Sequence, residues 1–202
     1  NLNEFIEQCD VVVHLAAMNR HSSQQVIYDT NISLVKKIIK SLESSSSKTH
    51  VIFSSSTQEE KGNLYGNSKK EGRELLRIWA EKTGNIFSPL IIPNVFGPHG
   101  KPFYNSFIST FCHQIQQGET PQIINDANVN LIFIKDLVNK IIEVVKSPEE
   151  NNDIKIISPT FSIKVSEILQ KLEMIKSEPN SIEKTKINLN LKETLDSHNQ
   201  EN

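Results

Sequence analysis

Apolar residues recur along this chain in two rhythms, one suited to buried strands and one to helices. Residues 10–17, DVVVHLAA, carry three consecutive valines. A run without alternation predicts a strand covered on both faces, as in a parallel sheet. From Val26 to Leu42 the apolar residues Ile27, Leu34, Val35, Ile38, Ile39 and Leu42 return at helical spacing. HVIFSSS, residues 50–56, predicts a second short buried strand. Tyr65 to Lys82 predicts a helix with Leu75, Leu76 and Trp79 on its apolar side and Gly84 as its stop. NIFSPLIIPNVFGPHG, residues 85–100, predicts a third strand running into a Pro/Gly-rich loop. Strict strand–helix alternation implies βαβ units, an α/β class and a parallel sheet. Right-handed crossovers then place both helices on one face.

Beyond residue 100 the pattern loosens. Phe103 to Gln117 predicts a helix stopped near Gly118, and PQIIND and VNLIFI are short strand candidates. Asp136 to Val145 predicts a helix, DIKIIS a strand, and Ile163 to Lys176 a last helix. ESSSSKT, residues 43–49, reads as a solvated connector. From Ser177 onward Asn, Lys and Glu are frequent, and the expectation is a polar linker or tail.

Composition narrows the function classes. A chain of 202 residues can form one large domain or two small ones. A net charge of −2 removes the electrostatic case for a nucleic-acid or membrane-surface partner. No apolar run is long enough to cross a bilayer, and no secretory leader is visible. Cys9 and Cys112 lie far apart without a CxxC partner, so a reduced, cytoplasmic protein is expected. The six histidines lack paired ligand spacing, so no metal site is expected. The chain opens at Asn1, and its first methionine is Met18. The expectation is a piece of a longer polypeptide.

The stretch SSSTQEEKGNLYGNSKKEG, residues 54–72, carries the chemistry. In open parallel sheets ligands sit outside the carboxyl ends of the strands. Three segments reach that edge: HLAAMNR, SSSTQ and PNVFGP. Tyr65 and Lys69, four apart, share one helix face, and Ser56 lies nine residues before Tyr65. The set suits hydride transfer to a carbonyl, whose oxygen gains charge and needs a proton within hydrogen-bond reach. Tyr65 would supply the proton and Ser56 a hydrogen bond to the same oxygen. A phenol ordinarily titrates near about 10. An ammonium at about 4 Å interacts by about 4 kcal/mol at an effective dielectric of about 20, so Lys69 is expected to lower the phenol's pKa.

At these residues the chain resembles the extended short-chain dehydrogenase/reductase family, the NAD-dependent epimerases and dehydratases that act on nucleotide sugars. VVVHLAA is similar to that fold's fourth strand, and DTNISLVKKII to the following helix, with Asn31 at the family's usual asparagine. FSSS with YGNSK is similar to the family's catalytic set, which falls on Ser56, Tyr65 and Lys69. PNVFGP is similar to the loop after the sixth strand. FIKDLV, with Asp136, is similar to a later strand-to-helix joint. The resemblance implies a Rossmann-like parallel sheet with flanking helices, its N-terminal strands and glycine-rich turn missing here. It also implies a small α/β substrate-binding part. The expected division is a partial nucleotide-binding domain over residues 1–100, a substrate-binding part over 101–176 and the tail over 177–202. NADP or NAD is the implied cofactor, met by Leu15, Ala16, Ala17, Ser54, Tyr65, Lys69 and Pro93. A UDP-sugar is the implied substrate, met by Asn19, Arg20, Asn94 and Asn105. The resemblance further implies a homodimer.

A narrower likeness runs through HLAAMNR, the short gap between Ser56 and Tyr65, PNVFG and KPFYNSFISTFCHQI. These are similar to the capsular polysaccharide reductases of the L-fucosamine pathway, which reduce a UDP-linked 4-keto-6-deoxy-N-acetylhexosamine with NADPH and carry a C-terminal cupin domain. Epimerisation on the same residues stays open. Dehydration wants an acidic pair where Thr57 and Gln58 stand. A non-catalytic remnant is the third alternative. Glu59 and Glu60 read as solvated loop residues, and Asn31 as a residue that bends its helix, holds a water relaying protons to Lys69, or faces solvent.

Overall fold

The computed structural model describes residues 1–44 and 48–199, so part of the connector expected at 43–49 lies outside the described residues. The chain divides into two compact units, residues 1–92 with 140–157 and residues 93–139 with 158–202. The first break between them falls at 92/93, and residues 140–157 return to the first unit.

The first unit is built on a parallel sheet. Its strands are β1 (Val11–His14), β2 (His50–Ser56), β3 (Phe87–Ile92) and β6 (Lys155–Ile156), in the spatial order β1-β2-β3-β6. Val11 pairs with His50, Val51 with Phe87 and Leu90 with Lys155, all parallel. Between the strands run α2 (Gln24–Ser44) and α3 (Leu64–Thr83), and α1 (Leu2–Ile6) precedes β1. One hydrophobic cluster joins Val35, Ile38 and Leu42 of α2, Leu76, Trp79 and Ala80 of α3, and Val12, Val51, Phe53 and Phe87 of the strands. Both helices therefore cover the same sheet face, as right-handed crossovers require. Gly84, at φ 65°, ends α3 in the left-handed conformation that a side chain resists.

Two expectations fail here. Val13 is 37% exposed, so β1 alternates instead of being buried on both faces; it is an outer strand of this sheet. DIKIIS shrinks to the two residues of β6. The third strand ends at Ile92, before Pro93, which has no N–H to donate, and runs into the Pro/Gly-rich segment as expected.

The second unit holds a sheet in the order β4-β5-β7, from β4 (Asn94–Phe96), β5 (Asn128–Phe133) and β7 (Phe161–Lys164). The first pair is parallel and the second antiparallel. Its core gathers Phe96, Leu131 and Phe133 with Ile108, Phe111 and Cys112 of α4 (Phe107–Gln116). Ile168 and Leu172 of α6 (Val165–Ser177) join them. The helix α5 (Ile134–Lys146) spans the division between the units. The fourth helix starts at Phe107, not Phe103, because Ser106 caps it and Phe103 sits at φ 55°. PQIIND forms no strand, and its Ile124 is fully exposed. Ile163 belongs to β7, not to the helix that follows.

The tail expectation is corrected most. Residues Lys186–Asp196 form α7, capped by the Thr185 hydroxyl. Leu191 and Leu195 stand four apart and enter the same core. The frequent Asn, Lys and Glu hide a short apolar stripe that a neighbouring core completes.

Candidate active site

The carboxyl end of β2 runs directly into a tight corner. Ser56 closes the strand, and its Oγ accepts from the Gln58 amide at 3.2 Å, capping a 3₁₀ turn over Thr57–Lys61. Gly62 ends that turn at φ 66°. Asn63 then caps α3: its Oδ1 accepts from the Gly66 amide at 2.7 Å, and its Nδ2 donates to Gln58 Oε1 at 3.3 Å. A Cβ on Gly66 would stand 2.0 Å from the Gln58 carbonyl oxygen, so only glycine lets the turn press against α3. This corner brings the serine-bearing strand end to the first turn of the helix carrying Tyr65 and, one turn on, Lys69.

Lys69 is a buried cation, 3% exposed. Its Nζ lies 4.3 Å from the centroid of the Phe53 ring, an attraction to the π face. Burial pulls its pKa down to about 8, and the Glu59 carboxylate works against that fall. His14, at the end of β1, is 5% exposed and meets the Phe53 ring edge-on at 5.5 Å. Its Nε2 has no hydrogen-bond partner. Burial, followed by the charge of Lys69, holds its pKa at about 4, so it is neutral at pH 7. Burial pushes the Tyr65 phenol up from its ordinary value. This reverses the expected direction: the cost of taking a phenolate out of water is the cause that acts.

Glu59 is not a solvated loop residue. Its side chain is 8% exposed and binds Arg73 of α3, itself 7% exposed. Arg73 Nε donates to both carboxylate oxygens at 3.1 and 3.2 Å, and Nη2 donates to Oε2 at 2.9 Å. The Ser55 hydroxyl donates to the same carboxylate. Asn31 does not face solvent: it is buried and bonded to protein partners. Its Nδ2 donates to the Met18 carbonyl and to Ser68 Oγ, both at 2.9 Å, and its Oδ1 accepts from the Met18 amide at 2.7 Å. It ties the loop after β1 to α2 and α3.

The remaining predicted residues fall in two groups. Leu15, at 60% exposure, and the exposed Ala16 and Ala17 follow β1, while Ser54 Oγ donates to the His14 carbonyl at 3.2 Å. Asn19 is half-buried with its Oδ1 lacking a partner, and Arg20 beside it is exposed. All of these belong to the first unit with Ser56, Tyr65 and Lys69. Pro93, Asn94 and Asn105 belong to the second. There Pro93 is buried, Asn94 Nδ2 donates to the Asn130 carbonyl at 3.2 Å, and Asn105 is exposed just before α4. Asp136 accepts from Thr160 at 2.9 Å and pairs with Lys186 at 2.9 Å, a structural role. Among the described residues no group of three or more acidic, histidine or cysteine side chains could hold a metal. His14, Glu59 and Arg73 were missed by sequence reasoning. The available signals were a histidine ending the valine run and an arginine four residues after Lys69.

The residues present fit the nicotinamide side of a dinucleotide. A buried ammonium and a phenol share one helix face, small exposed residues follow the neighbouring strand, and Asn19 Oδ1 is an orphaned acceptor. A parallel sheet flanked by helices, with this polar corner at its carboxyl edge, defines the chain as a Rossmann-type α/β protein. The NAD dependent epimerase/dehydratase family matches residues 1–158, and the chain belongs to that family. It is 30% identical over 196 residues to a UDP-2-acetamido-2,6-beta-L-arabino-hexul-4-ose reductase of Pseudomonas aeruginosa, covering 96% of this chain and 53% of that protein. Among solved structures it is similar to the capsular polysaccharide assembling protein CapF of Staphylococcus aureus. That match has a TM-score of 0.82 and 28% identity, over 98% of this chain and 55% of that one. It shares its fold with a UDP-glucuronic acid 4-epimerase of Bacillus cereus solved with UDP-glucuronic acid and NAD. There the TM-score is 0.86 at 15% identity, over 99% of this chain and 78% of that one. The chain thus spans about half the length of the curated relative it matches.

Proposed function

We propose that this chain carries the proton-donating site of an NAD(P)H-dependent reductase acting on a UDP-linked 4-keto-6-deoxy-N-acetylhexosamine, in the synthesis of capsule or O-antigen precursors. The observation that carries the reading is the buried Lys69 cation one helical turn from Tyr65, beside the strand end that bears Ser56. The likeness to the Pseudomonas reductase supports the substrate class. When bound, the reduced nicotinamide supplies the hydride. Tyr65 holds its proton firmly, because burial raises its pKa, and releases it to the carbonyl oxygen only as charge develops there. Ser56 donates a hydrogen bond to that oxygen. Lys69 stays an ammonium below pH about 8, where it steadies the developing charge and positions ribose hydroxyls. Leu15, Ala16, Ala17 and Ser54 line the cofactor side. Asn19 and Arg20 serve the sugar diphosphate. Pro93, Asn94 and Asn105 enter the proposal on the family resemblance alone, as do a homodimer and a cytoplasmic setting.

Epimerisation at C4 is the second reading, favoured by the family's description. Dehydration is disfavoured: Thr57 and Gln58 are not acidic, and the neighbouring Glu59 is committed to Arg73. The test adds NADPH and the 4-keto sugar to the 202-residue chain and to the intact gene product. Consumption of NADPH matched to keto-sugar loss is expected of the intact gene product, with little or none from the 202-residue chain alone, and Tyr65→Phe should slow it by about 10²–10⁴-fold. Sugar conversion without NADPH loss would replace reduction by epimerisation, and an undiminished rate in Tyr65→Phe would remove Tyr65 as the donor.

A further inference from the structure

The corner that holds the serine, tyrosine and lysine contains a second, hidden set of charges. Lys69 forms no ion pair among the described residues, although it is almost wholly buried. A lone buried ammonium is costly, and proteins neutralise such groups unless a counter-charge stands near. On the strand side its neighbour is the Phe53 ring, which attracts a cation weakly. On the β1 side stands His14, whose Nε2 has no partner. The buried Asn31 of α2, bonded to Ser68 next to Lys69 in sequence, is uncharged. On its own helix stand the neutral Tyr65 and, four residues on, Arg73. The carboxylate packed into this corner is Glu59 of the 3₁₀ turn, held by the Arg73 fork and the Ser55 hydroxyl.

We propose that Glu59 is a positioning residue for the site: clasped by Arg73 and Ser55, it supplies the buried counter-charge that keeps Lys69 an ammonium. Arg73 has two opposed effects in this arrangement. It fixes the carboxylate against α3, and it neutralises part of the charge that reaches Lys69. Because Glu59 sits in the turn that Ser56 caps, the same clasp ties the serine's position to the protonation of the lysine. Glu59 touches no reacting atom; it acts through Lys69. The direction of the effect agrees with the upward pull that Glu59 exerts on the Lys69 titration.

The proposal rests on the reading of Lys69 as the site's working cation, but its test reads a titration and not turnover. A chain that fails to reduce keto sugars therefore leaves it standing or falling on its own result. Protein labelled with [ε-¹³C]lysine is titrated by NMR from pH 6 to 11, with the Lys69 signal assigned by its absence in Lys69→Arg. In the unsubstituted chain the midpoint is expected near about 8. In Glu59→Gln it should fall by on the order of one pH unit, the sign for loss of a nearby opposite charge. In Arg73→Gln, where a cation is removed and the carboxylate kept, it should rise. A merely structural clasp moves both midpoints the same way or neither, and either result overturns the proposal. Circular dichroism establishes which variants fold; if only one does, the sign of its shift alone decides.

Discussion

The two halves of α3 use the same residue types to opposite ends. In the first half, Lys69 and Arg73 are buried along with Gly66, Ser68 and Gly72. In the second half, Arg77 pairs with Glu74 at 2.8 Å and with Glu81 at 2.5 Å in side chains that remain substantially open to solvent. The difference is cover. The 3₁₀ turn and the end of β2 close over the first half, so the Arg73 charge is answered by the buried Glu59 carboxylate. Arg77 keeps 39% of its side chain in solvent, and water does most of the answering. A run of Lys, Arg and Glu is thus either a solvated face or a working electrostatic device, depending on which element lies on top of it.

The contrast can be broken most severely at its buried end. Arg73→Ala leaves the Glu59 carboxylate buried without its fork, and the chain should lose about 3 kcal/mol in urea unfolding. A loss no larger than that of an exposed pair would put the clasp in solvent. Acid should probe the same corner from the β1 side. The His14 pKa falls from 6.5 to about 4 on folding, so its contribution is complete above pH about 6.5 and is lost as pH drops through about 4. The full effect corresponds to about 3 kcal/mol. His14→Phe should flatten the stability curve across that window, with His50 retaining part of the slope because burial lowers its pKa too. An unaltered slope in the variant would assign the acid sensitivity elsewhere.

A smaller effect sharpens the geometric side. Gly66→Ala drives a methyl group into the Gln58 carbonyl, which should cost about 1–3 kcal/mol and displace Ser56 relative to Tyr65. In the intact gene product, turnover should fall more than stability accounts for; a fall in stability alone would uncouple the corner from the chemistry. At the far end of α3, Arg77→Ala should leave the urea midpoint unmoved. A clear loss there would mean that the two halves are not so different.

Much of the first unit was legible along the chain because its signals are local. Valine runs, the 3.6-residue recurrence in α2 and the glycine after Thr83 are read within a few residues. The same holds for the elements that carry Ser56, Tyr65 and Lys69, which are a strand end, a short turn and the first turns of a helix. The second unit was harder. The start of α4, the strand β7 and the whole of α7 depend on a core assembled from segments as distant as Phe96 and Leu195. A short amphipathic helix rich in Asn and Lys gains little from its own sequence and most of its stability from that packing.

What the amino-acid order determined by itself was the alternation of strand and helix and the placing of Ser56 at a strand end with Tyr65 and Lys69 four apart on the helix that follows. Both follow from spacing, which is a property of one chain segment at a time. What the tertiary structure alone decided was the state of those groups. It kept the Tyr65 phenol firmly protonated, drew the Lys69 titration down to about 8, turned Glu59 and Arg73 inward and left His14 neutral. Those outcomes depend on how much water each group loses and which charge remains beside it, and that is settled only when β1, β2, the 3₁₀ turn, α2 and α3 close around one corner.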